Sequence, residues 1–382
     1  MAEGGRALDR GTSASPLLLV VTPEAAEEGA GPYAALATAG QRLLAVDIAA
    51  RLATAGAVTA PLLPERSDDF HWGRWFAAAV RAGLDAAPAG SDAIGYAGAG
   101  ALALLDDHAL RDLLSPAAGE AVANNRFSAD AFVVRGDVQA ALRALEPCTS
   151  DNAAARRLED AGFAARDLSA LPYSRFDVDT PLDLALLRLA TRLPGIRTLN
   201  AAVQAFLATA RLPSDRGLDV PNVEDIGAVM RDRHAELVVA GRVPASVVTQ
   251  LEMDTACRMR WIIEERGMRS APEARPRSLL SALMHRSSPA ELVAELSTLG
   301  HAVILDSRVL MAAVAGSSES GAWPPEEERF ASDFGDASPI HTAWLRELVE
   351  AAADASVPFL LGGHALVSDG LRLLVADAWK GR

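Results

Sequence analysis

The stretch Phe176-Asp177-Val178-Asp179-Thr180-Pro181-Leu182-Asp183-Leu184 places two carboxylates two residues apart, directly before a proline-started helix. Carboxylate oxygens are the usual ligands of hard cations, and two of them on a turning backbone can reach one Mg²⁺. Thr180 suits a helix cap and Pro181 the first turn, with Leu184, Leu187 and Leu189 following at roughly helical spacing. The same residues are also simply a well-capped helix start after a strand, so residue types alone leave both readings open. Upstream, Asn124-Asn125-Arg126-Phe127-Ser128-Ala129-Asp130 is a polar loop that runs into the apolar Ala131-Phe132-Val133-Val134. Taken alone, Asn-Asn and Ser-x-Asp are ordinary turn formers.

The acidic run resembles the D-x-D-T-P-x-D-L signature near the end of nucleotidyltransferase domains of the phospholactate guanylyltransferase and molybdenum-cofactor guanylyltransferase type. The resemblance implies an α/β, GT-A-like nucleotidyltransferase sandwich over about residues 1–190, followed by a second, mainly helical C-terminal domain over 191–382. It implies Asp177 and Asp179 as the catalytic Mg²⁺ ligands, and Asn124, Asn125, Ser128 and Asp130 as the border of the substrate pocket. The ligand implied is a nucleotide or nucleotide-linked small molecule. Such domains bind phosphate through a Gly-rich loop after the first strand, with backbone N–H groups and a lysine offsetting charge. Here that loop reads from Thr22 to Leu36, with Glu24, Glu27 and Glu28 where phosphates would lie and Tyr33 at the lysine position. Ala101 stands where relatives place a further metal-binding Asp, and Asp106 and Asp107 fall where a helix cap belongs. Weak Mg²⁺ binding and poor turnover of ordinary triphosphates are therefore expected. The alternative is a catalytically lapsed homologue that acts as a ligand-binding or scaffold protein. Arg42, Arg126 and Arg175 lie near the motifs and could restore charge, because guanidinium pairs phosphate bidentately.

Gly98-Ala99-Gly100-Ala101-Leu102-Ala103 fits G-x-G-x-x-A after an apolar strand, the pattern of a dinucleotide-binding turn. In an alanine- and glycine-rich chain, a small-residue turn in which Gly98 and Gly100 line a pocket explains it equally well. The seven histidines form no His-x-His or His-x-x-x-His pair, so spacing defines no histidine metal site. His364, after Gly362-Gly363, and Asp306-Ser307-Arg308, after an apolar run, are carried as members of a pocket in the second half.

The chain has 382 residues, half of them hydrophobic, which favours two domains with a sizeable core. A formal charge of −14 argues against a nucleic-acid partner, since a polyanion needs a basic face. No apolar run is long enough for a membrane span, and Met1 to Ser15 lacks a signal-peptide hydrophobic region, so a soluble cytoplasmic protein is expected. Cys148 and Cys257 imply neither a disulfide framework nor a thiolate zinc site. Homo-oligomerisation is left open. Strands are expected at Leu17–Val21, 57–63, Asp92–Tyr96 and near Phe132–Arg135, alternating with helices at 41–55, 72–86, 107–114 and 137–145. That alternation predicts a mostly parallel sheet with helices on its faces. From Leu184 to about Leu296 the pattern reads as helical, including Thr249 to Gly267 with an Asp254–Arg258 pair on one face. His301–Leu305 and Pro358–Leu361 read as short strands or apolar helix turns.

Overall fold

The computed structural model describes residues 15–63, 70–86, 91–264, 276–317 and 320–381. Met1 to Ala14, most of the stretch 270–276, and residues 318 and 319 lie outside them.

Six strands form the first sheet: β1 (Leu17–Val21), β2 (Val58–Leu62), β3 (Ala93–Ala97), β4 (Glu120–Ala123), β5 (Ala131–Arg135) and β6 (Ala164–Asp167), in the order β2-β1-β3-β5-β4-β6. β1 pairs in parallel with β2 and β3, and β4 with β6, whereas β5 runs antiparallel to both of its neighbours. The sheet is therefore mixed, turned by the β4–β5 hairpin whose connection is the Asn124–Asp130 loop. β3 and β5 are buried along their whole length, as central strands with both faces covered are. Among the described residues, the helices that accompany this sheet are α1 (Pro32–Thr54), α2 (Trp72–Ala86), α3 (Asp107–Leu113), α4 (Val138–Leu145) and α5 (Ala154–Asp160). Asp106 and Asp137 cap α3 and α4 by accepting from the N–H groups of Ala109 and Ala140. On one face Trp72 and Phe76 of α2 pack against Tyr96 and Phe132.

The second half departs from the expected mainly helical domain. It holds a four-stranded parallel sheet of β7 (Glu236–Gly241), β8 (Arg258–Ile263), β9 (Ala302–Asp306) and β10 (Phe359–Gly362), in the order β10-β9-β7-β8. Around it lie α6 (Pro181–Ala190), α7 (Ala201–Thr209), α8 (Val223–Arg231), α9 (Ala245–Asp254), α10 (Leu279–Arg286), α11 (Pro289–Thr298), α12 (Ser307–Ala315), α13 (Glu326–Asp333), α14 (Ala343–Ala353) and α15 (Leu371–Ala378). The expected helix at 249–267 ends at Asp254, and Arg258 to Ile263 form an edge strand. The alternation of Arg258, Met259, Arg260 and Trp261 has period two, which fits a half-exposed strand. Arg258 accordingly meets its cross-strand partner Glu236, 3.1 Å away, and not Asp254.

α6 joins the two sheets. Nine of its ten residues are buried, the mark of a helix enclosed on all sides. Gly40 of α1 lets it approach closely, since a Cβ there would lie 2.5 Å from Leu184 Cδ2. Gly362, at the end of β10, does the same for Leu182 at 2.7 Å. One apolar core runs continuously from α1 through α6 into the second sheet. The end of the second sheet thus meets the start of α6, where the acidic run lies. Among the described residues no helix is long and apolar enough to cross a membrane.

Candidate functional site

The acidic run is locally over-determined. Thr180 caps α6 by accepting from the Asp183 N–H, and Asp183 Oδ2 accepts from the backbone N–H groups of Asp179 (3.1 Å) and Thr180 (2.8 Å), a complete capping box. The preceding segment is pinned from two sides. Gln41 Nε2 donates to Val178 O at 2.9 Å, and the turn at Gly100 lies so close that a Cβ there would stand 2.8 Å from Asp177 Oδ1. Asp177 Oδ1 also accepts from the Val178 N–H at 3.0 Å.

Asp177, Asp179 and Asp183 open into a cavity of about 360 Å³, and the hairpin loop supplies Asn125, Ser128 and Asp130 to the same wall. Ser128 Oγ lies 3.0 Å from Asp130 Oδ1 and 2.8 Å from Asn152 Oδ1. Asn125 Oδ1 accepts from the Phe127 N–H at 3.2 Å, an Asx-type turn. Three of the expected pocket residues play other parts. Asn124 is buried behind the loop, donating to Ser174 O (3.1 Å) and accepting from the Ala131 N–H (2.9 Å). Gly98 and Gly100 do not line the cavity; Gly98 donates its N–H to Asp130 O, and Gly100 packs under Asp177. Helix α3 begins only at Asp107, after an irregular turn with Leu102 at φ 61°, so the glycine pattern does not open a helix as a dinucleotide-binding turn would.

The carboxylates press on one another. Burial, then the charges of Asp179, Asp130, Asp183 and Asp151, hold the Asp177 carboxyl well above its usual range. Burial and the charges of Asp151 and Asp179 push Asp130 up to about 7, with Asp151 fixed by a 3.1 Å hydrogen bond from the Tyr96 hydroxyl. Burial and the Asp179 charge push Asp183 up to about 7, against the hydrogen bonds its Oδ2 accepts. Among the described residues no three His, Cys, Asp or Glu side chains group closely enough to hold a metal ion by themselves.

A basic set lines the same cavity and comes mainly from the second half: Arg242 after β7, Arg308 after β9, His364 after β10 and Arg329 on α13, with the acidic Glu326 on that helix also in the lining. Arg175 completes it, donating from Nη1 to Ser246 Oγ at 3.2 Å. Of the three arginines singled out near the motifs, Arg175 alone lines the cavity. Arg126 pairs with Glu159 at the surface, and Arg42 is exposed. The sequence marks Arg308 by its position after an apolar run and His364 by the paired glycines before it, whereas it does not single out Arg242 or Arg329. The sign for Arg242 was present in Leu237-Val238-Val239-Ala240-Gly241, an apolar run ended by glycine, but it lay inside a region read as helical.

The N-terminus of α1, where the resemblance would place a phosphate, is capped by a side chain of the chain itself. Glu327 of α13 accepts from the N–H groups of Tyr33 (3.1 Å) and Ala34 (3.0 Å), capping α1 in place of its own N-cap residue Gly31, which has no side chain to do so. Tyr33 is buried and its hydroxyl donates to Asp336 at 3.0 Å. Ala101 is buried in the core, Asp106 caps α3 and Asp107 pairs with Arg51, so none of the three reaches the cavity.

No family model matches the chain, and neither a curated protein nor a solved structure matches it.

Proposed function

We propose that the cavity binds a nucleotide or nucleotide-linked small molecule together with a divalent cation. The observation that carries this reading is the mixed charge of the cavity lining: carboxylates at Asp130, Asp177, Asp179, Asp183 and Glu326 share it with guanidiniums at Arg175, Arg242, Arg308 and Arg329. A metal–phosphate ligand likewise carries both signs of charge. Ligands in α/β proteins gather beyond the carboxyl ends of strands, where β7, β9 and β10 deliver these groups. Mg²⁺ suits the donor set. It keeps several waters and is commonly held by one or two carboxylates plus substrate phosphates, so Asp177 and Asp179 suffice without a complete protein cage. Bound there, the cation would offset charge on a phosphate and relieve the repulsion among the carboxylates.

The finer reading, a GT-A-like nucleotidyltransferase sandwich in the first half, rests on the acidic signature and the Asn124–Asp130 loop facing one cavity. A second reading, binding without catalysis, is favoured by Glu327, which occupies the α1 N-terminus where a triphosphate would be expected to lie. One experiment separates them. Thermal shifts are measured with nucleoside triphosphates and sugar nucleotides, with and without Mg²⁺, for the native chain and an Asp177→Asn, Asp179→Asn double variant. A true ligand at a hundred times its dissociation constant adds about 2.7 kcal/mol. The expected result is a Mg²⁺-dependent shift that the double variant loses, and pyrophosphate release on the same samples then decides between transfer and binding. Absence of a shift with any nucleotide overturns the proposal.

A further inference from the structure

Two guanidiniums that line the cavity are held in a way that leaves one edge of each available. Arg242 donates from Nε and Nη2 to Asp306 at 2.6 and 3.0 Å. Arg308 donates from Nη1 and Nη2 to Asp333 at 2.5 and 2.6 Å, and from Nη1 to Ser307 Oγ at 3.0 Å. Among the described residues, no protein acceptor pairs with Arg242 Nη1 or Arg308 Nε, although both side chains line the cavity. Arg308 is only 6% exposed, and Asp306 and Asp333 are fully or almost fully buried. Burying such pairs costs more in desolvation than an apolar replacement of the same shape would, so two side by side are weak devices for stability. They are strong devices for orientation, because each carboxylate fixes the plane of its guanidinium and so the direction of the remaining N–H bonds.

The turn after β10 keeps that edge open. Gly363 lines the cavity next to Arg308, and a Cβ on it would lie 3.8 Å from Arg308 Cγ and Nε, an ordinary contact distance. A bulky side chain at 363 would start beside the Nε edge and crowd it. The aspartates that share the cavity repel an anion, so the remaining guanidinium edges are the favourable place in it for a small oxyanion.

We propose that Arg242 and Arg308, with the open turn at Gly363, form a subsite for a compact oxyanion, a phosphate or carboxylate group, set apart from the cation at Asp177 and Asp179. This rests on the reading of the cavity given above and names the part of the ligand that the second half of the chain recognises. Recognition is bidentate and geometric, so lysine does not substitute for arginine there.

The test uses the full chain in EDTA, titrated calorimetrically with inorganic phosphate, inorganic pyrophosphate and malonate, beside Arg308→Lys and Gly363→Leu. Lysine keeps a charge next to Asp333 but lacks the Nε edge, and leucine crowds that edge while leaving the ion pair intact. Should Arg308→Lys fail to fold, Gly363→Leu decides. The expected result is saturable binding of at least one oxyanion to the native chain, weakened about tenfold or more by either substitution, as loss of a charge-assisted hydrogen bond implies. Phosphate binding without malonate binding identifies the group as tetrahedral, and the converse as planar. Absence of binding by all three, or affinities unchanged in Gly363→Leu, overturns the proposal. If oxyanions bind in this arginine-dependent way but no nucleotide binds with Mg²⁺, the subsite stands and the nucleotide reading falls; Mg²⁺-dependent nucleotide binding with no oxyanion response gives the reverse.

Discussion

Replacing Asp130 by asparagine is expected to stabilise the ligand-free protein, and to do so only where the carboxyl would be ionised. In the folded chain, burial followed by the charges of Asp151 and Asp179 raises this group from an ordinary 3.8 to about 7. A carboxyl raised on folding binds more protons in the native state than in the unfolded one, so native stability falls as pH rises between about 4 and 7 and levels off above. At about 1.4 kcal/mol per tenfold, that rise corresponds to an upper limit of about 4 kcal/mol. Because Asp151 and Asp179 relax once Asp130 is neutral, a gain of about 1–2 kcal/mol at pH 8 is the expected figure, shrinking by more than half at pH 5. Asparagine keeps an acceptor for the Ser128 hydroxyl but not for Asn124 Nδ2, which donates to Asp130 Oδ2 at 3.4 Å; that loss is the same at both pH values, so the difference between them isolates the charge. Denaturant titrations of both proteins at pH 5 and pH 8, without divalent cation, supply the comparison. A loss of stability of equal size at both pH values would refute the reasoning, since it would mean that Asp130 serves the loop as an acceptor and carries no electrostatic strain.

Glu327→Gln is expected to cost about 1–3 kcal/mol, because the α1 N-terminus loses a charge that pairs with its dipole and the charged acceptor of two backbone N–H groups. Gly31→Ala, whose Cβ would overlap the Glu327 carboxylate, is expected to be much less harmful in the Glu327→Gln background than alone if displacement of that carboxylate is its main effect; a double-mutant cycle by chemical denaturation measures this. Gly100→Ala would place a Cβ 2.6 Å from Val178 N and 2.8 Å from Asp177 Oδ1, and rigid backbone cannot yield as a side chain can. A loss of about 1–3 kcal/mol is expected, together with loss of any Mg²⁺-induced thermal shift; a full shift in this variant would show that the position of Asp177 is not what the cation reads.

The features legible in the chain were those whose cause lies within a few residues. Thr180-Pro181 with Asp183 made a helix start that packing only had to accept, and the apolar runs at Leu17–Val21 and Phe132–Val134 could satisfy themselves only as buried strands. The convergence of Asp177 and Asp179 with Asn125, Ser128 and Asp130 was expected from the order of two motifs, and the hairpin and the capped helix place them on one wall. What the chain did not disclose was the second sheet. β8 is a half-exposed edge strand carrying two arginines, and its turn signals resemble those of a broken helix. With that sheet hidden, no local signal could bring Arg242, Arg308 and Arg329 into one cavity with the aspartates. That meeting depends on α6 being enclosed between the two halves and on glycines at 40 and 362 that allow its close approach. The cap of α1 is likewise set by a carboxylate 294 residues away in sequence. Caps, strands and turns are decided by neighbouring side chains competing for backbone hydrogen bonds, whereas a cavity lined by both carboxylates and guanidiniums exists only once distant elements have packed.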